Sequence, residues 1–191
     1  MSFQISDLAA AHQDAVRQAA ELLVIGFVDM APDAWPDMES ALQEVHEMLQ
    51  PDRICRIASD EHGHVVGWIG GLDYGYDGNV WELHPLVVHP DHRGKGIARA
   101  LVLDLEAIVR QRGALTLQLG TDDQMDMTSL SGVDLYTNTW EHIRNIKNYK
   151  NHPYSFYETM GFTIIGVMPD ANGPGKPDIY MAKRLYEAPN S

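Results

Sequence analysis

The segment that most constrains this chain runs from Val80 to Arg112. An apolar stretch, Val80 to Val88, reads as a strand, and the turn His89-Pro90-Asp91-His92 follows it. Arg93-Gly94-Lys95-Gly96-Ile97-Ala98 then opens a run with helical periodicity that lasts to about Arg112 and stops at Gly113. A strand feeding a glycine-rich turn and then a helix is an anion site. Glycines let a ligand approach the backbone, the first helical N–H groups lack internal partners, and the helix dipole favours negative charge there. Arg93 and Lys95 add positive charge to the turn, so a pyrophosphate is expected. The spacing matches neither the Walker pattern nor the three-glycine dinucleotide fingerprint. Pro85 lies inside the strand, where it removes a ladder donor, and the strand is expected to bend or leave its neighbour there.

Around this segment the chain reads as alternating strands and helices. Phe3 and Ile5 mark a short strand. Ser6 or Asp7 is expected to cap a long helix whose apolar positions run from Leu8 to Phe27. Met30 to Pro36 is a loop that carries Trp35, and Met38, Leu42, Val45 and Leu49 predict a second helix ending before Pro51. Ile54–Ser59 and Val65–Leu72 form a predicted antiparallel hairpin, and Leu115–Gly120 a buried strand. The polar segment Thr121–Asn151 is longer than an ordinary connection, with a helix expected somewhere in Val133–Tyr149. A short helix over Pro153–Met160 and strands over Phe162–Met168 and Asp178–Lys183 close the chain. No linker or repeat divides it, so residues 1–186 are expected to form a single domain and 187–191 a tail.

Charge and composition narrow the function classes. The 191 residues hold 27 acidic and 14 basic side chains, a formal charge of -13. That balance repels nucleic acid and anionic membranes and suits a cationic small molecule. The lone cysteine, Cys55, allows neither an internal disulfide nor a thiolate metal site. The first thirty residues lack the basic-then-apolar pattern of a secretory signal, and no window is apolar over the roughly 18 residues that would span a bilayer. A cytoplasmic protein is therefore expected. His84, His89 and His92 have a spacing that fits no standard metal-ligand set, and no metal is expected.

The whole turn resembles the coenzyme A signature of the GNAT superfamily, Arg/Gln-x-x-Gly-x-Gly/Ala, filled here by Arg93, Gly96 and Ala98. Tyr157-Glu158-Thr159-Met160-Gly161-Phe162 resembles a second stretch of that family. The resemblance implies an α+β chain with the GNAT acyl-CoA N-acyltransferase fold: a mixed, mostly antiparallel central sheet splayed between two strands and flanked by helices. It also implies acetyl-CoA as co-substrate, with Leu86, Val87 and Val88 exposing backbone groups to the pantetheine arm. Arg93, Gly94, Lys95, Gly96, Ile97 and Ala98 would then hold the pyrophosphate. Many family members carry an asparagine seven residues before the tyrosine, where this chain has Lys150.

Four further segments are similar to one branch, the aminoglycoside 6'-N-acetyltransferases: Trp81 to Val88, Leu119 to Asp123, His152 to Glu158 and Lys176 to Ile179. The implied reaction is acetyl transfer to the 6'-amine of an aminoglycoside antibiotic, which confers resistance, by a homodimer. An ammonium group must lose a proton before it attacks a thioester, and Glu82, on the strand leading to the turn, is the candidate base. The departing thiolate needs a proton, for which Tyr157, also a cofactor contact, is the candidate donor. A backbone N–H near Leu86 to Val88 is expected to face the oxyanion. Acceptor recognition calls for carboxylates and aromatic faces. The candidates are Glu82, Asp122 and Asp178 with Trp35, Tyr74 and Tyr76. Asp123 and Asp126 read equally well as solvated loop charges, and His84, on the face of Glu82, reads first as structural. Two alternatives stand beside this reading: transfer to another cationic amine (a polyamine, amino sugar or protein N-terminus), and a non-catalytic cation binder.

Overall fold

The computed structural model describes residues 2–187, so most of the expected tail, residues 188–191, lies outside the described residues. By its internal contacts the chain divides into two compact units, Met1–Leu117 and Gln118–Ser191.

The first unit holds β1 (Phe3–Asp7), α1 (Gln13–Phe27), α2 (Met38–Met48), β2 (Ile54–Asp60), β3 (Val65–Asp73), β4 (Val80–Val88) and α3 (Ile97–Gln111). Its strands pair in the order β1-β2-β3-β4, each neighbour antiparallel. The first helix starts later than the sequence suggests. Ser6 and Asp7 pair with Ile57 and Arg56 across the β1–β2 ladder, and the Arg56 guanidinium bonds the Asp7 carboxylate at 2.6 Å. Those pairings keep the chain extended past both expected caps, and the Leu8 N–H goes to the Cys55 carbonyl. The second helix starts at a conventional cap, with the Asp37 carboxylate accepting from Ser40 N–H at 2.9 Å.

β3 is buried along most of its length because helices cover both of its faces. Trp68 points to one side, where its indole N–H donates to the Ala19 carbonyl of α1 at 3.0 Å. Gly71 points to the other, where an added Cβ would lie 2.7 Å from Leu105 of α3. Leu105, Leu101, Val102 and Val109 are fully buried along α3, the stripe expected of a helix lying on a sheet.

The register of β4 against β3 slips at Pro85. Leu86 faces Ile69 and Leu83 faces Gly71, so His84 and Pro85 together oppose Gly70 alone. This is a β-bulge, and it reverses the phase of the side chains. Before it, Glu82 opposes Leu72, which packs with the α1–α2 cluster; after it, Val87 opposes Trp68 on that same side. Glu82, His84 and Val87 therefore share the α1–α2 face of β4, a grouping that strict alternation from Glu82 would not give. Gly70 makes the bulge possible, since a Cβ there would lie 2.2 Å from the His84 carbonyl oxygen and 2.3 Å from the Met48 methyl.

The second unit holds most of β5 (Thr116–Asp122), α4 (Thr139–Arg144), α5 (Tyr154–Thr159), β6 (Thr163–Met168) and β7 (Asp178–Arg184). β7 lies between β5 and β6 and pairs antiparallel with β6. The long polar segment contains the six-residue helix α4, inside the expected window Val133–Tyr149, and is otherwise irregular. It is closed on itself instead: Ser129 N–H bonds the Lys147 carbonyl, and Tyr149 and Lys150 N–H groups both reach Met127. Asp123 anchors the loop. Far from being a solvated charge, it is 0% exposed and accepts from the Met127 and Thr128 N–H groups and the Thr128 hydroxyl at 2.6–2.8 Å. Asp126 is surface-exposed, but it is engaged by Lys176 and Ser131.

Candidate active site

The turn between β4 and α3 has the geometry of an anion cradle. Residues 90–92 form one short 3-10 turn, after which Gly94 and Gly96 take φ of +75° and +83°. These left-handed values suit glycine, and no atom lies within 4 Å of a Cβ built on either residue. Gly96 is the N-cap of α3 and the Ala100 N–H bonds its carbonyl, so the N–H groups of Ile97 and Ala98 precede the first intrahelical bond. Residues 93–96 are all exposed. A pyrophosphate fits this arrangement through backbone donors, with the α3 dipole behind it.

The two basic side chains of the turn are arranged differently from the sequence expectation. The Arg93 guanidinium turns inward, donating from Nη2 to the Gly26 carbonyl at 2.8 Å and from Nε to the Val88 carbonyl at 3.3 Å. It ties the end of α1 to the end of β4. Lys95 Nζ folds back onto the Asp91 carbonyl at 2.7 Å, on the surface.

Three residues of the first unit, Glu82, His84 and Trp35, gather on the α1–α2 face of β4. Glu82 and His84 are half-buried there. Trp35, though in a loop, packs edge-on against Phe27 at 4.7 Å and lies 6.0 Å from the His84 ring. Glu44 of α2, which sequence reasoning missed, completes the group: its carboxylate is 3.5 Å from His84 Nε2, and Trp35 adds a smaller stabilising effect on its charged form. The bond from His84 is the main cause that holds the Glu44 carboxyl below its usual value, against the opposing effect of burial. One signal was present in the sequence. Ala41, Glu44 and Met48 fall on one stripe of α2, and a carboxylate between two buried apolar positions calls for a partner. Tyr74 and Tyr76 form a stacked, exposed pair at 5.5 Å in the β3–β4 connection.

In the second unit, the Asp122 side chain accepts from the Asn172 amide, and the Asp122 carbonyl lies 3.0 Å from His152 Nε2. Asp178 packs over Gly120, where a Cβ would lie 2.5 Å from its carboxylate. Only glycine leaves that carboxylate room. Tyr157 is buried between Phe156 and Phe162, and burial pushes its phenol well above the ordinary value, so it stays protonated. Lys150, at the position where many GNAT proteins have asparagine, reaches the Met125 carbonyl. Among the described residues no three His, Cys, Asp or Glu side chains converge as a metal-ligand group.

The model of the acetyltransferase (GNAT) family matches residues 18–131, more than half of the chain and all of the β4–turn–α3 segment. The chain belongs to the GNAT acetyltransferase family. The GNAT fold extends over nearly the full length. A crystal structure of aminoglycoside 6'-N-acetyltransferase complexed with coenzyme A is 40% identical, with a TM-score of 0.88 over 98% of this chain and 99% of that one. The aminoglycoside 6'-N-acetyltransferase from Enterococcus faecium is 41% identical, with a TM-score of 0.87 over the same shares. Among curated relatives, an acetyltransferase of Pectobacterium atrosepticum is 34% identical over 48% of this chain; the match spans 61% of that relative's length. An acetyltransferase of Sodalis glossinidius is 38% identical over 44% of this chain and 56% of its own length. The shared segment is thus under two thirds of the curated relatives. No helix among the described residues is long and apolar enough to cross a membrane.

Proposed function

We propose that this GNAT protein, through one catalytic domain spanning residues 1–186, transfers an acetyl group from acetyl-CoA to the 6'-amine of aminoglycoside antibiotics and so confers resistance to them. The observation that carries the reading is full-length similarity at 40% identity to an aminoglycoside 6'-N-acetyltransferase that holds coenzyme A. The turn at Gly94–Ala98 fits the cofactor's pyrophosphate, and a net charge of -13 suits a polycationic acceptor. Bound there, acetyl-CoA supplies the acetyl thioester. Glu82 takes the proton that the acceptor's ammonium must lose. Backbone N–H groups of Leu86 to Val88 hold the pantetheine arm and stabilise the oxyanion. Tyr157, kept neutral by burial, donates a proton to the departing thiolate. Trp35, Tyr74 and Tyr76 offer aromatic faces to the acceptor, and Glu82, Asp122 and Asp178 offer carboxylates. The only cysteine is buried, which accords with direct transfer without a cysteinyl intermediate and with a reducing, cytoplasmic setting. A homodimer is proposed on the family resemblance.

The test is thiol release from acetyl-CoA in the presence of a 6'-amino aminoglycoside such as kanamycin, with the acetylated site located by mass spectrometry and NMR. Release at a rate that Glu82→Gln lowers at least about tenfold supports the reading, since general-base catalysis contributes at least that much. No release with several such drugs, or faster turnover of polyamines or simple amino sugars, overturns it.

A further inference from the structure

α2 presents a buried stripe of Ala41, Val45 and Met48 to the rest of the first unit, and Glu44 sits within it. A carboxylate in that position is costly unless its oxygens are held. They are held by groups from two other elements: the His84 imidazole on β4, at 3.5 Å, and the Trp35 side chain from the loop before α2. Trp35 and His84 also face each other across 6.0 Å. Glu82, two residues before His84 on β4, lies on the same face as this trio.

We propose that Glu44 is a positioning residue of the acceptor side: it fixes the Trp35 indole and the His84 imidazole beside Glu82, and so sets the affinity for a cationic acceptor without touching the cofactor turn. The inference rests on the acetyltransferase reading above. Trp35 belongs to a connection, packs against the α1–α2 core cluster and meets Phe27 edge-on. Holding its other side at the His84–Glu44 pair leaves the ring presented as a rigid surface, which lowers the ordering cost of binding a sugar or cation. The cofactor turn lies beyond the far end of β4, so a change at Glu44 acts on one substrate and spares the other.

The experiment compares wild type, Glu44→Ala, Glu44→Gln, His84→Ala and the Glu44→Ala/His84→Ala double variant. Steady-state kinetics are measured with acetyl-CoA and kanamycin, and kanamycin binding by calorimetry. Expected are an acceptor KM and Kd raised about tenfold in Glu44→Ala, the scale of one lost charge-assisted hydrogen bond, and an acetyl-CoA KM within about twofold of wild type, as for a site outside that change. Glu44→Gln, which keeps an acceptor for the indole, falls between. The double variant is expected to be no weaker than the worse single variant, because both remove the same coupled unit. If wild type neither binds nor acetylates kanamycin, the functional reading and this inference fall together. If wild type does both and the Glu44 variants match it, the inference fails alone. Equal increases in both KM values, or additive effects in the double variant, also overturn it. Should Glu44→Ala not fold, Glu44→Gln decides by the same split.

Discussion

The Arg93 guanidinium donates to the Gly26 carbonyl at 2.8 Å, joining the last turn of α1 to the turn that opens α3. Arg93 is the residue that makes the coenzyme A signature recognisable, yet its charge is committed to two main-chain carbonyls. The signature arginine thus fixes the backbone of the turn, joining the ends of α1 and β4. Arg93→Ala is expected to lower stability by about 1–3 kcal/mol, the scale of charged hydrogen bonds that leave buried carbonyls unpaired. Urea denaturation measures that loss. A fall in acetyl-CoA affinity without loss of stability would assign the side chain to the ligand instead.

Gly26 tests the same junction from the other side. A Cβ there would lie 2.4 Å from Val87 Cγ2. Gly26→Ala is expected to destabilise by about 1–3 kcal/mol through overpacking, despite alanine's better helix propensity. Adding Val87→Ala removes the clashing methyls, and the double variant is expected to be more stable than the sum of the two single changes predicts.

At the end of β4 the cradle depends on backbone shape. Gly96 has φ +83°, and alanine there costs about 1–2 kcal/mol in a left-handed conformation. Gly96→Ala is expected to raise the KM for acetyl-CoA while leaving the KM for the amine nearly unchanged. Equal effects on both substrates would count against a cofactor role for the turn.

His152 carries a pH signature in the second unit. It is 1% exposed; Nδ1 accepts from the Tyr154 N–H, and Nε2 faces the Asp122 carbonyl. Burial is the main cause that depresses its pKa below 6.5, so the folded state binds fewer protons than the unfolded chain as pH falls. The sign follows: the contribution is fully present above about pH 6.5 and is lost as pH drops towards the folded value, with a slope of at most about 1.4 kcal/mol per pH unit. Denaturation midpoints between pH 5 and 7 measure it, and a glutamine in place of His152 is expected to flatten that part of the profile.

Cys55 is buried in β2, and burial pushes its thiol up to about 12. The native protein is expected not to react with an aromatic disulfide reagent at pH 8, and to release one equivalent of chromophore once unfolded. The same reagent can therefore follow coenzyme A release without a background from the enzyme; a rapid native reaction would show that β2 opens.

Most of the strand and helix order was legible because local patterns carry it: β-forming residues over Ile54 to Leu72, the α3 stripe, and turns marked by Gly63, Gly113 and Gly161. The first helix was placed too early because its apolar periodicity extends back to Leu8, and the pairing of Ser6 and Asp7 across β1 and β2, with the Leu8 N–H on the Cys55 carbonyl, holds its expected start in the strand. The helix foreseen within Val133–Tyr149 occupies Thr139–Arg144, and the irregular remainder of the segment is closed by long-range backbone bonds from Ser129 to Lys147 and from Tyr149 to Met127 that no local pattern marks.

By itself the amino-acid sequence determined the anion cradle between Val88 and Ala98, since glycine conformations and unpaired helical N–H groups are local properties of consecutive residues. It also marked Pro85 as the place where the strand bends or leaves its neighbour, and the structure puts a register shift there. Tertiary structure alone decided which side chains meet around that break. Gly70 admits the bulge, the bulge turns Glu82, His84 and Val87 to one face, and α2 brings Glu44 there from some forty residues earlier in the sequence. Such groupings depend on how elements pack, and no local period encodes them.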